Sequence, residues 1–506
     1  MWNHKKKYML SVDQSTQGTK ALLFDNDGKL LKRKDVSHAQ IVNDKGWVEH
    51  DLDEIWENTK KAVESLLSEQ NVKSEEIAGI GISNQRETIA VWNRKTGHPV
   101  YHAIVWQCAR GEKICNDLKK RGAAVSVKEK TGLDLSPYFS ACKLAWIFQN
   151  VPEAGKLAKS GELCCGTMDS WLIYKMTGGE CFKTDSSNAS RTQLFNIHSL
   201  GWDKGLCELF GVPMNALPEI CDSDALYGQT DLEGVLTEKI PICGVMGDSH
   251  GALFGQGCHE TGMAKATYGT GSSVMMNVGK DAADPQDGLV SSVAWTMHGN
   301  TSYVLEGNIN YTGAVITWLK DKMHLIENPI ETEELACKAN KEDSCYIVPA
   351  FTGLGAPYWN SEATAMITGI TRITGREEIV KAALECIAYQ INDIVSCMDR
   401  QFAEHTGKGM QELRADGGPT KNGYLMQFQS DILNIPVVVP ENEELSGMGA
   451  AYMGGISLGF YQTENLFYKR KKKIYRPKME ERLRKIKIDG WKGAVDRTLY
   501  KNQNTD

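Results

Sequence analysis

The first ninety residues alternate short apolar runs with turn-forming residues. Unbroken or alternating apolar positions predict strands over residues 8–13, 19–24 and 30–35, with a turn at Asn26-Asp27-Gly28. Residues 52–69 have helical periodicity, and the continuous apolar run 77–83 predicts a buried strand. This order of strand meander, helix and buried strand is typical of an α/β fold.

The second half of the chain repeats the opening pattern. Residues 263–278 predict a hairpin around a glycine turn, and residues 293–297 pair through 298–301 with 303–305. A long helix over 377–400, a strand and turn over 413–418 and a helix over 422–433 follow. The repeat starts after residues 255–262, so we expect two lobes, 1–258 and 259–506, with a cleft between them.

Two glycine-rich turns carry the first chemical signal. They are Asp13-Gln-Ser-Thr-Gln-Gly-Thr-Lys20 and Tyr268-Gly-Thr-Gly-Ser-Ser273, each between β-prone runs. Such turns offer backbone N–H groups and hydroxyls at close range, which suits a phosphate chain. One turn would be weak evidence, because hairpins need glycine anyway. Two turns, one in each half, indicate a duplicated domain that holds a nucleotide from both sides.

Composition narrows the class of protein. The 57 basic and 64 acidic residues give a net charge of −7, which argues against a general nucleic-acid binder. No segment has the ~18 apolar residues of a membrane span, and a secretory leader pattern is missing, so we expect a cytoplasmic protein. The 14 cysteines are scattered without a CxxC pair, which favours reduced, buried thiols over disulfides or a metal site.

Longer motifs identify a resemblance. The chain resembles the FGGY family of carbohydrate kinases, and within it the glycerol kinases, over about residues 8–491. The family's two signatures correspond to residues 138–150 and 365–385; further matching segments are residues 84–88, 104–108, 188–192, 349–359 and 425–433. The resemblance implies an α/β fold with two actin-like ATPase (ribonuclease H-like) lobes and an intervening cleft. It also implies ATP and Mg²⁺ as cofactors, and a small polyol or sugar phosphorylated on a terminal hydroxyl.

The resemblance assigns two aspartates to the chemistry. Asp248 follows the apolar run 240–245, where a strand would expose its last side chain to a cleft, and it would act as the catalytic base and help to bind the metal. Asp13 would hold Mg²⁺, which prefers hard oxygen ligands. Both have a structural alternative: Asp248 as the cap of a helix that begins at Ser249, and Asp13 as a turn-capping residue.

The same resemblance implies an ATP-binding set. The phosphate-lining members are Thr16, Gln17, Lys20, Thr270 and Gly271; the other members, assigned mainly to adenine and ribose, are Gly313, Thr317, Gly418 and Asn422. Glycine at 313 and 418 would let the nucleotide pass close to the backbone, although a tight turn or a close helix contact would also require it. Lys20 stands where glycerol kinases usually have arginine, so it would act as a point charge.

The acceptor pocket departs from the family pattern. Matching positions are Arg86, Glu87, Trp106 and Tyr138, which would bind and flank the polyol. Ser249 and Ser273 stand where glycerol kinases usually have glutamine and phenylalanine. These smaller side chains predict a roomier, more polar pocket, suited to a C4–C5 polyol or ketose.

Alternatives stay open at this stage. The chain could be a true glycerol kinase in which His250 refills the pocket, or a catalytically silent actin-fold scaffold. The complete acid–base and polyol set favours an enzyme. A chaperone-type ATPase would lack residues 138–150 and would need a peptide-binding domain. The sequence does not decide between homodimer and homotetramer.

Overall fold

The computed structural model describes residues 5–441, 443–468 and 471–500. Strands of the N-terminal half are β1 Tyr8–Gln14, β2 Gly18–Phe24, β3 Leu30–Ser37, β4 Ile41–Val42, β5 Val48–His50, β6 Ile77–Asn84, β7 Ile89–Asn93, β8 Pro99–Ile104, β9 Leu163–Thr167, β10 Lys183–Asp185, β11 Phe195–Asn196, β12 Gly201–Trp202, β13 Glu219–Cys221, β14 Leu226–Thr230 and β15 Ile240–Gly247. Its helices are α1 Leu52–Gln70, α2 Glu112–Lys120, α3 Ala123–Thr131, α4 Ser140–Asn150, α5 Pro152–Lys159, α6 Met168–Met176, α7 Ser186–Ala189, α8 Lys204–Phe210 and α9 Asp248–Gly255.

The C-terminal half contains nine further strands and seven helices within the described ranges. The strands are β16 Ala264–Tyr268, β17 Ser272–Gly279, β18 Val290–Met297, β19 Asn300–Ile309, β20 Tyr346–Val348, β21 Met366–Thr368, β22 Leu413–Asp416, β23 Val437–Pro440 and β24 Lys472–Tyr475. The helices are α10 Gly313–Asp321, α11 Glu331–Lys338, α12 Arg376–Thr406, α13 Gly423–Leu433, α14 Leu445–Ser457, α15 Thr463–Tyr468 and α16 Glu481–Tyr500.

Each half is built on one large mixed sheet, and the two sheets share a strand order. The N-terminal sheet runs β14-β15-β6-β1-β2-β3, and the C-terminal sheet runs β18-β19-β17-β16-β22-β23-β24. In both, a hairpin (β1–β2, β16–β17) pairs through its first strand with a parallel strand (β6, β22). The predicted internal repeat and the two-lobed α/β fold are therefore confirmed, and a smaller sheet, β4-β5-β8-β7-β9, is added to the first half.

Local sequence explains why these elements form where they do. All eight residues of β6 are buried, as its continuous apolar run predicts. Asp51 caps α1 by accepting hydrogen bonds from the backbone N–H groups of Asp53 and Glu54, and Asn71 ends the helix in the left-handed region with a φ of 50°. The predicted helix 377–400 is longer in the structure, because α12 continues through six more residues to Thr406 before Gly407 ends it.

One helix of the second half packs on the first. Helix α14 lies against β1, β6, β15 and α9, all of them elements of the N-terminal half. Glycines make the approach close: a Cβ on Gly449 would lie 1.9 Å from the Gly251 carbonyl oxygen. The two halves of the sequence are thus joined by packing as well as by the chain itself.

The cysteines are free thiols throughout, and most are buried. Over the ranges that the structure describes, no helix is both long and apolar enough to span a bilayer.

Candidate active site

A cavity of about 900 Å³ lies where the two halves meet. Its walls come from β1–β3 and the segments after β6, β8 and β15 on one side, and from the β16–β17 turn and the end of β19 on the other. Predicted site residues among its lining are Thr16, Gln17, Lys20, Arg86, Glu87, Trp106, Tyr138, Asp248, Ser249, Thr270, Gly271 and Ser273. Segments far apart in sequence thus form one pocket.

The first glycine turn is surrounded by charge. Asp13 lies inside β1, opposite Lys20 in the ladder, so it is a strand residue and not a turn cap. Its side chain is buried, and its Oδ1 atom has no hydrogen-bond partner. Burial, opposed by the charge of Lys20 and reinforced by Asp248, raises the pKa of Asp13 to about 6. Lys20 donates to Glu444 at 2.8 Å and lies 3.8 Å from Asp13 Oδ2.

The second glycine turn is held by backbone contacts. The N–H groups of Thr312 and Gly313 donate to the carbonyl oxygens of Thr270 and Gly269, which ties the turn to the start of α10. Behind the turn, Gly417 has a φ of +97°, and a Cβ there would lie 2.0 Å from the Tyr268 carbonyl oxygen. Only glycine fits so close to another backbone in that conformation. These contacts hold the turn between α10 and Gly417, and Gly269, Thr270 and Gly271 line the cavity.

Asp248 is fixed by its neighbours at the end of β15. It is the first residue of α9, Gly247 is the helix cap, and the Ser249 N–H donates to Asp248 Oδ1 at 2.6 Å. Arg86 Nε lies 3.2 Å from the same oxygen. About a third of the side chain, 36%, stays exposed to the cavity. Asp248 is therefore not the helix cap, although it accepts a hydrogen bond from its own helix. Its carboxylate remains accessible from the cavity.

Aromatic rings form the wall beside this carboxylate. Trp106 and Tyr138 make an edge-on contact with 5.4 Å between ring centroids, and Trp106 Nε1 donates to Thr16 Oγ1 at 3.0 Å. Glu87 lies next to them in the left-handed region, with a φ of +61°, which is costly for a non-glycine residue and common at functional sites. The wall combines flat apolar surface with hydrogen-bonding groups, as a polyol requires.

The two serines lie in the cavity, whereas His250 does not. Ser273 Oγ donates to Glu306 Oε1 at 3.3 Å, and Ser249 lines the same space. The His250 ring is fully buried and its Nε2 lies 3.2 Å from Ser292 Oγ. His250 therefore does not refill the pocket in this structure.

The remaining ATP-set residues lie outside the cavity lining. Gly313 is explained by the helix contact, since a Cβ would lie 2.8 Å from the Gly269 carbonyl oxygen. Asn422 caps α13 and donates to Thr332, and the exposed Thr317 donates to the Gly313 carbonyl. Gly418 differs, because a Cβ there would meet nothing within 4 Å. Gly313 and Asn422 thus have structural roles of their own.

Three residues at the site were missed by sequence reasoning. Glu306 is completely buried and accepts two hydrogen bonds from Arg86, while Arg191 pairs with Glu87. Glu444 binds Lys20 and Arg33. Two signals were available: an isolated acidic residue inside the apolar run of β19, and the place of Arg191 in the matching segment 188–192; for Glu444 the local sequence contains none.

The carboxylates present fit a divalent ion shared with phosphates. Asp13 supplies a buried, unpartnered oxygen, and it lies within electrostatic range of Asp248. In the described part of the chain no three His, Cys, Asp or Glu side chains group into a metal cage. Mg²⁺ in kinases is usually held by one or two carboxylates plus substrate phosphates, so two aspartates without a cage are suitable.

Comparison with known proteins identifies a matching protein family and similar proteins. The model of the N-terminal domain of the FGGY family of carbohydrate kinases matches residues 8–255, and that of its C-terminal domain matches residues 264–458. The chain is 48% identical to glycerol kinase 1 of Thermotoga maritima, over 97% of this chain and 99% of that protein. It is 45% identical to the glycerol kinase of Caldanaerobacter subterraneus subsp. tengcongensis over the same shares.

Solved structures agree with the sequence matches. A glycerol kinase of Plasmodium falciparum with ADP superposes with a TM-score of 0.91 at 35% identity, covering 97% of this chain and 98% of that one. A xylulose kinase of Lactobacillus acidophilus, 22% identical over 97% of each chain, has a TM-score of 0.86 and shares the fold. The chain therefore belongs to the FGGY family of carbohydrate kinases, and it is an ATP- and Mg²⁺-dependent phosphotransferase that acts on an alcohol group.

Proposed function

We propose that this kinase phosphorylates a terminal hydroxyl of a C4–C5 polyol or ketose. The observation that carries the proposal is that Ser249 and Ser273 both line the cavity, while the nearby His250 ring is turned into the protein. Two small side chains at the acceptor end leave room beyond three carbons. Each further carbon buried in such a pocket contributes about 1–3 kcal/mol to transition-state binding.

In this proposal Asp248 is the catalytic base. Its exposed carboxylate accepts a hydrogen bond from the terminal hydroxyl and takes the proton as the oxygen attacks the γ-phosphorus. The bond between the γ-phosphorus and the bridging oxygen breaks, and ADP leaves. The hydrogen bond from the Ser249 N–H and the ion pair with Arg86 keep the carboxylate oriented. Asp13 and Asp248 would hold Mg²⁺, which when bound would supply positive charge against the phosphate oxygens.

Besides Asp248 and the two serines, four residues contact the acceptor. Arg86 donates one N–H from each terminal nitrogen to Glu306, and its Nε forms an ion pair with Asp248. One N–H on each terminal nitrogen is left for substrate hydroxyls. Glu87 and Tyr138 supply further hydrogen bonds, and Trp106 covers the carbon chain. Burial is the largest influence on Tyr138 and raises its pKa far above the ordinary value, so its phenol stays a hydrogen-bond donor at neutral pH.

The nucleotide lies along the two glycine turns. In the proposal the phosphates are lined by Thr16, Gln17, Lys20, Thr270 and Gly271, and the adenosine end by Gly313, Thr317, Gly418 and Asn422. The open space beside Gly418 supports its assignment most directly. For Gly313 and Asn422, the contacts to Gly269 and Thr332 explain the residue type without a nucleotide.

Glycerol is the second candidate acceptor. The relatives at 45–48% identity that match nearly the whole chain are named glycerol kinases. In that case Ser249 and Ser273 would line an unusually open pocket, but the enzyme would still prefer glycerol over longer acceptors.

Parallel kcat/KM measurements with C3, C4 and C5 polyols and ketoses separate the two candidates. We expect a C4 or C5 substrate to exceed glycerol by roughly 10- to 200-fold. The double variant Ser249→Gln with Ser273→Phe should shift the preference back toward glycerol. Ser249→Ala with Ser273→Ala is the matched control, because it removes the hydroxyls without filling the space. If glycerol exceeds every longer acceptor, the enlarged-pocket proposal fails and glycerol kinase stands.

We also propose the division of the chain into lobes 1–258 and 259–506. Helix α14, which belongs to the second lobe in this division, packs on the sheet of the first lobe. The cytoplasmic location and a homodimer or homotetramer stay predictions.

A further inference from the structure

A buried carboxylate joins the two halves of the molecule under the acceptor end of the cavity. Glu306 belongs to β19 in the second half, and none of its side chain is exposed. Its two oxygens each accept a hydrogen bond from Arg86, at 2.9 Å, in the parallel two-bond geometry that fixes a guanidinium most firmly. Arg86 follows β6 in the first half, so the pair crosses between the sheets.

A second buried arginine completes the arrangement. Arg191 Nη1 lies 2.9 Å from Glu306 Oε2, and Arg191 Nε donates to Glu87 Oε1 at 2.6 Å. The side chain is fully buried, with its guanidinium 5.1 Å from the Phe139 ring centroid. Glu87, Arg191, Glu306, Arg86 and Asp248 therefore form a continuous row of alternating charges, which we call the charge row.

The ends of the charge row line the cavity, but its centre does not. Glu87, Arg86 and Asp248 are lining residues, whereas Glu306 and Arg191 lie behind them. Burial alone would raise the pKa of Glu306, but the charges of Arg191 and Arg86 outweigh it and hold the pKa well below its ordinary value. Glu306 is thus a permanent anion between two guanidinium groups that would otherwise repel each other.

We propose that Glu306 and Arg191 are positioning residues for the acceptor: they hold Arg86 and Glu87 at the orientation in which these two bind substrate hydroxyls. The inference rests on the proposed function, in which Arg86 and Glu87 contact the acceptor. Without Glu306, Arg86 is free to turn fully onto Asp248, and the two acceptor-binding side chains lose their common anchor. Because neither positioning residue lines the cavity, the loss acts through Arg86 and Glu87.

Glu306→Gln is the central test, because it keeps the shape and removes the charge. We expect the KM for the acceptor to rise at least 10-fold and kcat to fall 10- to 100-fold, with the KM for ATP within 2-fold of wild type. Arg191→Lys keeps the buried charge but loses the guanidinium group that contacts both Glu306 and Glu87. It should therefore also raise the KM for the acceptor. Glu306→Asp should recover part of the loss. Asp287→Asn, which removes the acid of the exposed Arg400–Asp287 pair, is the matched control.

Each outcome has a distinct meaning. A lower unfolding temperature for Glu306→Gln with wild-type kinetic constants would make the charge row merely structural and overturn the inference. So would equal rises in the KM for ATP and for the acceptor. If Glu306→Gln does not fold, Arg191→Lys decides on the same two constants. Arg86→Ala separates the two proposals. If it leaves the acceptor KM unchanged, the acceptor-binding role of Arg86 in the proposed function fails. If Arg86→Ala raises the acceptor KM but Glu306→Gln and Arg191→Lys do not, only the inference about Glu306 and Arg191 fails.

Discussion

The two glycine turns of the cavity share a backbone scaffold but differ in their side chains. In the first hairpin Asp13 pairs with Lys20 across the ladder, whereas at the corresponding place in the second hairpin Thr267 pairs with Ser273. The parallel strand beside the first hairpin leads into the charged Arg86. The strand beside the second ends at Asp416 and leads into Gly417.

Charge around the cavity follows the same division. The charged lining residues in the described structure, Lys20, Asp35, Arg86, Glu87 and Asp248, all precede residue 259. The second half contributes turn backbone, hydroxyls and amides, and it keeps Glu306 and Lys265 fully buried. In the proposed function, one repeat therefore supplies the ionisable groups for proton transfer and metal binding, and the other supplies the backbone donors for phosphates.

Removing the proposed base, Asp248, should lower kcat more than any other change, and it tests the charged residues of the first half. We expect Asp248→Asn to lower kcat by about 10²–10⁴, because the amide cannot take the hydroxyl proton. ADP binding, measured by calorimetry without acceptor, should stay near wild type, because the glycine turns are untouched. Asp35→Asn, a lining residue without an assigned role, serves as the control. An Asp248→Asn enzyme that keeps more than about a tenth of kcat would exclude Asp248 as the base.

Substitutions at two adjacent glycines test the backbone contribution of the second half. Gly417→Ala places a Cβ 2.0 Å from a carbonyl oxygen at a φ of +97°, so we expect destabilisation of about 1–3 kcal/mol. Gly418→Ala has open space around its Cβ, so its stability should match wild type while its KM for ATP rises. Thermal unfolding and ATP titrations of both variants provide the comparison. Wild-type ATP affinity in Gly418→Ala would take Gly418 out of the nucleotide site.

Sequence patterns were informative for elements whose partners are near in the chain. Hairpins, the buried strand β6 and helix α1 follow from apolar runs, turn residues and caps within about twenty residues. The pairing of Glu306 with Arg86 joins positions 220 residues apart, and no local pattern encodes it. The same holds for α14: its apolar composition predicts burial, but not burial against the sheet of the other half.

Site residues divide in the same way. Positions in the two turns could be predicted because a glycine turn between strands has a local signature, as the lining by Thr16 and Gly271 illustrates. Gly313 and Asn422 could not be resolved from sequence, because a glycine or an asparagine at the start of a helix serves packing and capping as readily as a ligand. The structure supplies those two local reasons directly.

The last prediction concerns Lys143, which supports the charged side from beneath. Its side chain is fully buried, and Nζ donates to the carbonyl oxygens of Pro137, Tyr138 and Phe139 at 2.7, 2.5 and 3.2 Å. Burial lowers the pKa of Lys143 to about 7. An unfolded lysine titrates near 10.4, so between these values the unfolded chain binds a proton that the folded chain lacks. The contribution of this group to stability therefore rises with pH across that window.

We expect Lys143→Met to lose this dependence of stability on pH. Its effect should be smaller than those of Asp248→Asn and of the glycine variants. The deficit of the variant in unfolding free energy should grow by about 1.5 kcal/mol from pH 7 to pH 8.5, measured by denaturant titration at each pH. Lys156→Met, at an exposed lysine of α5, is the control and should show no such trend. Because Lys143 holds the Tyr138 backbone, the acceptor KM of Lys143→Met should also rise while ATP affinity stays constant. A deficit that is constant with pH would mean that three carbonyl oxygens keep the ammonium charged, and Lys143 would then be a fixed cation beneath the acceptor wall.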